Sequence, residues 1–181
     1  MKKFELTNEF VTNMFGTKLF RIRALVEFGD VEAGELGGYV EKESNLGHDD
    51  NAWVYDNAWV YGNARVYGDA QVSGDARVYG NARVCGDALV CGNARVCSDE
   101  DYAYAHGFGS VNRTTTFFRL KDGGVGVRCG CFYGTLAQFR DKIRETHGET
   151  KKAQEYLMLA DLMELRFEED ENEVGNRKYV E

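Results

Sequence analysis

From residue 51 to residue 98 the apolar and polar positions recur with a period of six. The stretch reads NAWVYD NAWVYG NARVYG DAQVSG DARVYG NARVCG DALVCG NARVCS, eight hexads on the frame Asn/Asp-Ala-x-Val-y-Gly. Ala and Val stand two apart, so in an extended chain they face one side while x and y face the other. Six of the eight hexads close on Gly followed by Asn or Asp, residue types that tolerate positive φ. Every unit therefore predicts a very short strand and then a corner. In an open hairpin meander the Val/Ala face would need a second layer, and the rest of the chain holds too little apolar material to supply it. Coiled as a solenoid, the same residues cover one another about a central axis. The solenoid is the expected fold.

The pattern changes on both sides. In LFRIRALVEF, Phe20, Ile22, Ala24 and Val26 alternate with Arg21 and Arg23, as in a half-buried strand. GDVEAGELGGYVEKESNL follows, and Val40 with Ser44 repeats the aliphatic-to-small spacing as a degenerate first hexad. Two extra residues near 46–50 break the frame before the regular repeat. Solenoid ends are open strand edges, so flanks of this kind are expected to cap them. After Ser98, DEDYAYAHGFGS forms a junction, and TTTFFRLKDGGVGVRCGCFYGT predicts two strands around a Lys-Asp-Gly-Gly turn. Thr135 with Gln138 predicts a capping box opening a helix, with Leu136, Phe139 and Ile143 inward and Gly148 at its end. A second helix is predicted over about 151–167, with Ala153, Tyr156, Leu157, Ala160 and Met163 inward. Three units result: a β cap with a degenerate first coil over 1–50, the repeat over 51–98, and a ββαα domain with an acidic tail over 99–181.

The spacing of Val54 with Ala58, and of Val66 with Ala70, resembles the hexapeptide-repeat family. That resemblance implies a left-handed parallel β-helix, a triangular prism with three hexads per coil. The fold class expected is thus mainly β with a small α+β end. Gly falls two positions after the Val here, where the family places it one after. The layout FGDVEAGELGGYVEKESNL, then NARVYG-type hexads, then GCFYGTLAQFRDKI, is similar to phage- and prophage-encoded hexapeptide-repeat proteins. It implies an origin on a mobile element and assigns no activity.

Charge narrows the partners. The formal net charge is −8, from 22 basic and 30 acidic side chains, which disfavours direct nucleic-acid binding. The hexads are neutral and both flanks acidic. No apolar run approaches the ~20 residues that span a bilayer, and the start MKKFELTNEF lacks the apolar core of a signal peptide. Five cysteines without a disulfide framework point to a reducing cytoplasm, which the phage and prophage resemblance implies is that of a bacterial host.

Chemistry is sparse. Hexapeptide acyltransferases use a histidine base at a coil edge, but His48, His106 and His147 all lie outside the hexads and read as solvated or capping groups. Cys85, Cys91 and Cys97 fall on successive faces of a three-sided coil, so they diverge and hold no metal. Cys129 and Cys131 lack further ligands in sequence and read as core cysteines. No cofactor and no metal is expected.

The outward positions carry more. An 18-residue coil stacks the x residues as Trp53/Gln71/Leu89, Trp59/Arg77/Arg95 and Arg65/Arg83. One face then gathers Trp59, Arg77 and Arg95 with Tyr61 and Tyr79, residue types that dominate binding hot spots. The same types also shield the ladder of any flat solenoid face. The acidic set Asp99, Glu100, Asp101, Glu168, Glu169 and Asp170, with Glu171, either mimics nucleic-acid phosphates or solvates the surface. The function expected is a non-enzymatic binding protein that inhibits a bacterial defence or nucleic-acid-handling complex, in the manner of an anti-CRISPR. Its partner would be a host protein complex, with a homodimer or homotrimer as a further assembly. The alternatives are a hexapeptide acyltransferase and a nucleotide-sequestering sponge.

Overall fold

A computed structural model describes residues 1–109 and 112–168. An antiparallel hairpin opens the chain, β1 (Phe4–Thr12) with β2 (Lys18–Ala24), followed by β3 (Leu36–Val40). Eight two-residue strands then succeed one another, one per hexad. They are β4 (Trp53–Val54), β5 (Trp59–Val60), β6 (Arg65–Val66), β7 (Gln71–Val72), β8 (Arg77–Val78), β9 (Arg83–Val84), β10 (Leu89–Val90) and β11 (Arg95–Val96). β12 (Tyr102–Phe108), β13 (Arg113–Arg119), β14 (Val125–Cys129) and β15 (Phe132–Thr135) lead to α1 (Leu136–His147) and α2 (Lys151–Phe167).

The hexads form a parallel β-solenoid of about three turns. Trp53 pairs with Gln71, Trp59 with Arg77 and Arg65 with Arg83, each eighteen residues on, so three strands make one coil. The hexad Ala and Val residues from Ala52 to Val96 are all 0% exposed and form one continuous core. The corner is a glycine matter: Gly62 to Gly92 hold φ between 62° and 69°, while the Asn or Asp after each keeps ordinary backbone. Where the first hexad has Asp56 in place of Gly, Asp56 adopts φ 54° and its carboxylate accepts from Gly74 N at 3.0 Å. Ser98 stands at the same position in the last hexad with φ −142°, and there the chain leaves the coil.

The degenerate first hexad is a true rung. Val40 stacks on Val60 and Leu46 on Val66, both twenty residues apart, which is the two-residue excess expected near 46–50. β3 also joins the hairpin to the solenoid, making one six-stranded sheet in the order β1-β2-β3-β5-β8-β11.

Both ends of the prism are closed by polar groups of matched sense. The Ala52 and Ala64 carbonyls at the first coil lack a backbone donor and are taken by side chains instead. Lys3 Nζ donates to Ala52 O at 2.8 Å and to Asp50 O at 2.7 Å, and Asn45 Nδ2 donates to Ala64 O at 2.8 Å. At the far end Arg83 N and Leu89 N have no next rung, and Asp99 Oδ1 and Thr116 Oγ1 accept from them at 2.7 and 2.9 Å. Tyr102 then lies where the next valine would fall, its hydroxyl donating to Arg83 O at 2.6 Å.

Burial holds the Lys3 ammonium down at about 8 against 10.5. Between those values the unfolded chain binds the proton and the folded chain does not, so stability from this group rises with pH. Urea denaturation between pH 7.5 and 9.5 is expected to show that rise in the wild type and to lose it in Lys3→Met.

The C-terminal unit has two strands more than the ββαα expected. The Lys-Asp-Gly-Gly turn does join β13 to β14, but the junction itself forms β12, and GCFYGT folds back at Gly130 (φ 57°) to give β15. The order is β12-β13-β14-β15, all antiparallel. Thr135 and Gln138 make the expected capping box, and Gly148 ends α1 at φ 56°. Both helices pack on this sheet in a second core around Phe117, Val127, Phe139, Tyr156 and Ala160. Among the described residues no helix is long and apolar enough to cross a membrane.

Candidate functional site

The solenoid presents three faces, and they have different fates. On the first, Trp53/Gln71/Leu89, the expected exposure fails at Trp53, while Gln71 and Leu89 stay half-exposed. Trp53 is 0% exposed, packed edge-on by Phe28 at 5.3 Å and Phe4 at 6.2 Å between ring centroids. Leu89 meets β13 through Thr116. The cap covers this face at Trp53 and the C-terminal sheet abuts it at Leu89, because each needs an apolar seat. The third face, Arg65/Arg83, leaves both guanidiniums exposed, with Arg65 Cζ 6.0 Å from the Tyr67 ring.

The second face brings the five expected residues together. Trp59, Arg77 and Arg95 lie in one register line across β5, β8 and β11. Arg77 Cζ sits 4.4 Å over the Trp59 ring, a cation–π stack. One residue beyond each valine, Tyr61 and Tyr79 stack with centroids 5.3 Å apart and planes 7° from parallel. Arg95 Nη1 donates to Asp75 O at 3.0 Å and to Ala94 O at 2.8 Å, so its side chain lies flat along the coil. All five are half-buried against one another. Their rotamers are already ordered, which lowers the entropic cost of docking onto them.

The electrostatics follow from that packing. Burial lowers the Arg95 guanidinium from its ordinary value, with the Arg77 charge adding to it. Burial raises the Tyr61 phenol and pushes the Tyr79 phenol up to about 12, so both stay neutral donors. Among the described residues no carboxylate forms an ion pair with Arg77 or Arg95.

Sequence reasoning missed that the line continues upward. Tyr39 pairs with Trp59, and Arg21 pairs with Tyr39. Arg21 Cζ lies 5.3 Å from the Tyr39 ring, and Tyr39 Oη donates to Glu9 Oε1 at 3.0 Å. The signal was present: once Val40 is a rung, Tyr39 before it is an x residue.

The other expected sites disperse. Asp101 is 2% exposed, and its Oδ2 accepts from Cys97 N at 2.9 Å and Ser98 N at 3.0 Å. It caps the coil end and does not belong to a surface. Asp99 shares that duty while remaining exposed, as Glu100 and Glu168 are. Glu169, Asp170 and Glu171 lie outside the described residues. His48 stacks on Phe4 at 4.5 Å, and its Nδ1 accepts from Lys3 N at 3.2 Å, with burial lowering its pKa. His106 Nδ1 is 2.9 Å from Thr114 Oγ1, and His147 stacks on Tyr156 at 6.0 Å. Cys85 lies 3.7 Å from the Tyr102 hydroxyl, and Cys97 Sγ donates to Asp101 Oδ2 at 3.0 Å, on separate faces. Among the described residues no three His, Cys, Asp or Glu side chains converge as a metal site requires.

Comparison with known families places the repeat. A model of the YdcK beta solenoid repeat matches residues 58–74 and again 70–86. Both matches fall inside the coiled hexads, and with the three-turn solenoid they make this a repeat β-helix protein. No curated protein matches the chain.

Proposed function

We propose that this protein is a non-enzymatic binding protein whose second solenoid face docks a protein partner bearing carboxylates. The carrying observation is the Trp59–Arg77 stack beside the Tyr61–Tyr79 stack on a face that neither flank covers. The Arg77 guanidinium, held over the Trp59 ring with no ion-pair partner among the described residues, favours an acidic surface, and flat pre-ordered aromatics supply buried area at small entropic cost. The resemblance of the chain to phage- and prophage-encoded repeat proteins makes a bacterial defence or nucleic-acid-handling complex the partner class. In that reading the protein acts as an inhibitor by occupying a working surface.

The test is capture from a bacterial lysate with quantification by mass spectrometry, followed by affinity measurement with the purified partner. A specific partner should lose about thirtyfold in affinity with Trp59→Ala or Arg77→Ala, the ~2 kcal/mol expected of hot-spot residues. Arg65→Ala, on the third face, should bind as the wild type does. A partner that is retained by both second-face variants, or the recovery of none, refutes the reading.

A further inference from the structure

The C-terminal unit holds a cavity of about 270 Å³ between the turn after β14, α1 and the start of α2. Its inner wall is apolar, from Phe132, Phe139 and Ile143. Its uncharged polar groups are the Cys129 and Cys131 thiols, the Thr146 and Tyr156 hydroxyls and His147, which stacks on the Tyr156 ring. Burial pushes the Tyr156 phenol up to about 12, so it remains an O–H. Among the described residues the charged groups on the wall are Arg113 and Lys142, and no carboxylate lines it.

Of those two cations, Lys142 is held by Glu145 at 2.8 Å, whereas Arg113 has no ion-pair partner among the described residues. Gly130 leaves room for it. A Cβ at residue 130 would overlap the Arg113 guanidinium, which therefore lies against the turn between Cys129 and Cys131. The left-handed φ of 57° at Gly130 excludes most other residues as well. An apolar chamber with an unpaired cation at its rim is the arrangement that small-molecule sites use, at a size below the usual drug-sized range.

We infer that this cavity binds a small monocarboxylate with an aryl or branched-alkyl body. The body fills the space against Phe139 and Ile143, and the carboxylate accepts from the Arg113 guanidinium. The site is independent of the second solenoid face, so the two stand or fall separately.

The test uses the full chain and 3-phenylpropionate, with 3-phenylpropylamine and 3-phenylpropanol as matched controls, followed by NMR. The carboxylate should shift the Ile143 methyl and His147 ring signals saturably, and the amine should not at equal concentration. Arg113→Ala, at an exposed position, should weaken carboxylate binding about tenfold, the loss of one charge-assisted hydrogen bond, and leave the alcohol unchanged. Thr146→Trp, which fills the cavity from its exposed rim, should abolish the shifts of all ligands. An absence of carboxylate-induced shifts, equal binding of the amine, or an Arg113→Ala protein that binds as before would overturn the inference.

Discussion

Trp53→Ala is expected to lower stability by about 3–5 kcal/mol, the range for deleting a fully buried large aromatic side chain. Trp59→Ala is expected to cost about 1 kcal/mol or less, since its ring is half-exposed and only stacks on Arg77. Both residues occupy the x position of an identical NAWVY stretch. The difference arises because Phe4 and Phe28 close over Trp53, so its removal leaves a void between cap and prism. Trp53→Phe separates packing from polarity. It loses part of the ring but also removes a buried Nε1 that has no hydrogen-bond acceptor, so it should fall well short of the alanine penalty. Urea unfolding of the three variants, monitored by far-UV circular dichroism, measures all of these values. Equal losses for Trp53→Ala and Trp59→Ala would show that the cap does not seat on the first face.

The second large effect is at the opposite end. Asp101→Ala should destabilise the fold by about 2–4 kcal/mol, because it strands two partly buried backbone donors, Cys97 N and Ser98 N, around a buried carboxylate. Asp101→Asn should lie between, since its amide oxygen can still accept from Cys97 N and Ser98 N while the carboxylate charge is lost. Hydrogen exchange localises the damage: the amides of β11 should lose protection first and those of β5 last. A uniform loss of protection along the coils would mean that the solenoid opens as one unit and not from its end.

These two sites mark where local pattern runs out. The hexad period identified the coil, and Ala and Val two residues apart put both on one side of a strand; the resulting core is continuous from Ala52 to Val96. The capping box at Thr135 and the glycine stop at Gly148 were equally legible, because their geometry involves neighbours in sequence. The coil offset brought Trp59, Arg77, Arg95, Tyr61 and Tyr79 together for the same reason. β12 and β15 were not legible. Tyr102–Phe108 forms a strand by pairing with β13, and the two-residue turn Gly130–Cys131 acquires meaning only once a partner strand is present.

What the chain's order of residues determined, then, was everything periodic: the number of rungs, which side of each faces the axis, and which outward residues stand in line. Tertiary structure alone decided which outward columns remain outside. Trp53 and Trp59 are indistinguishable within their hexads, as Asp99 and Asp101 are within one acidic run. Their fates differ because burial is a property of what lands on a residue from elsewhere in the chain, and hydrogen-bond demand at a solenoid end depends on which rung lacks a neighbour.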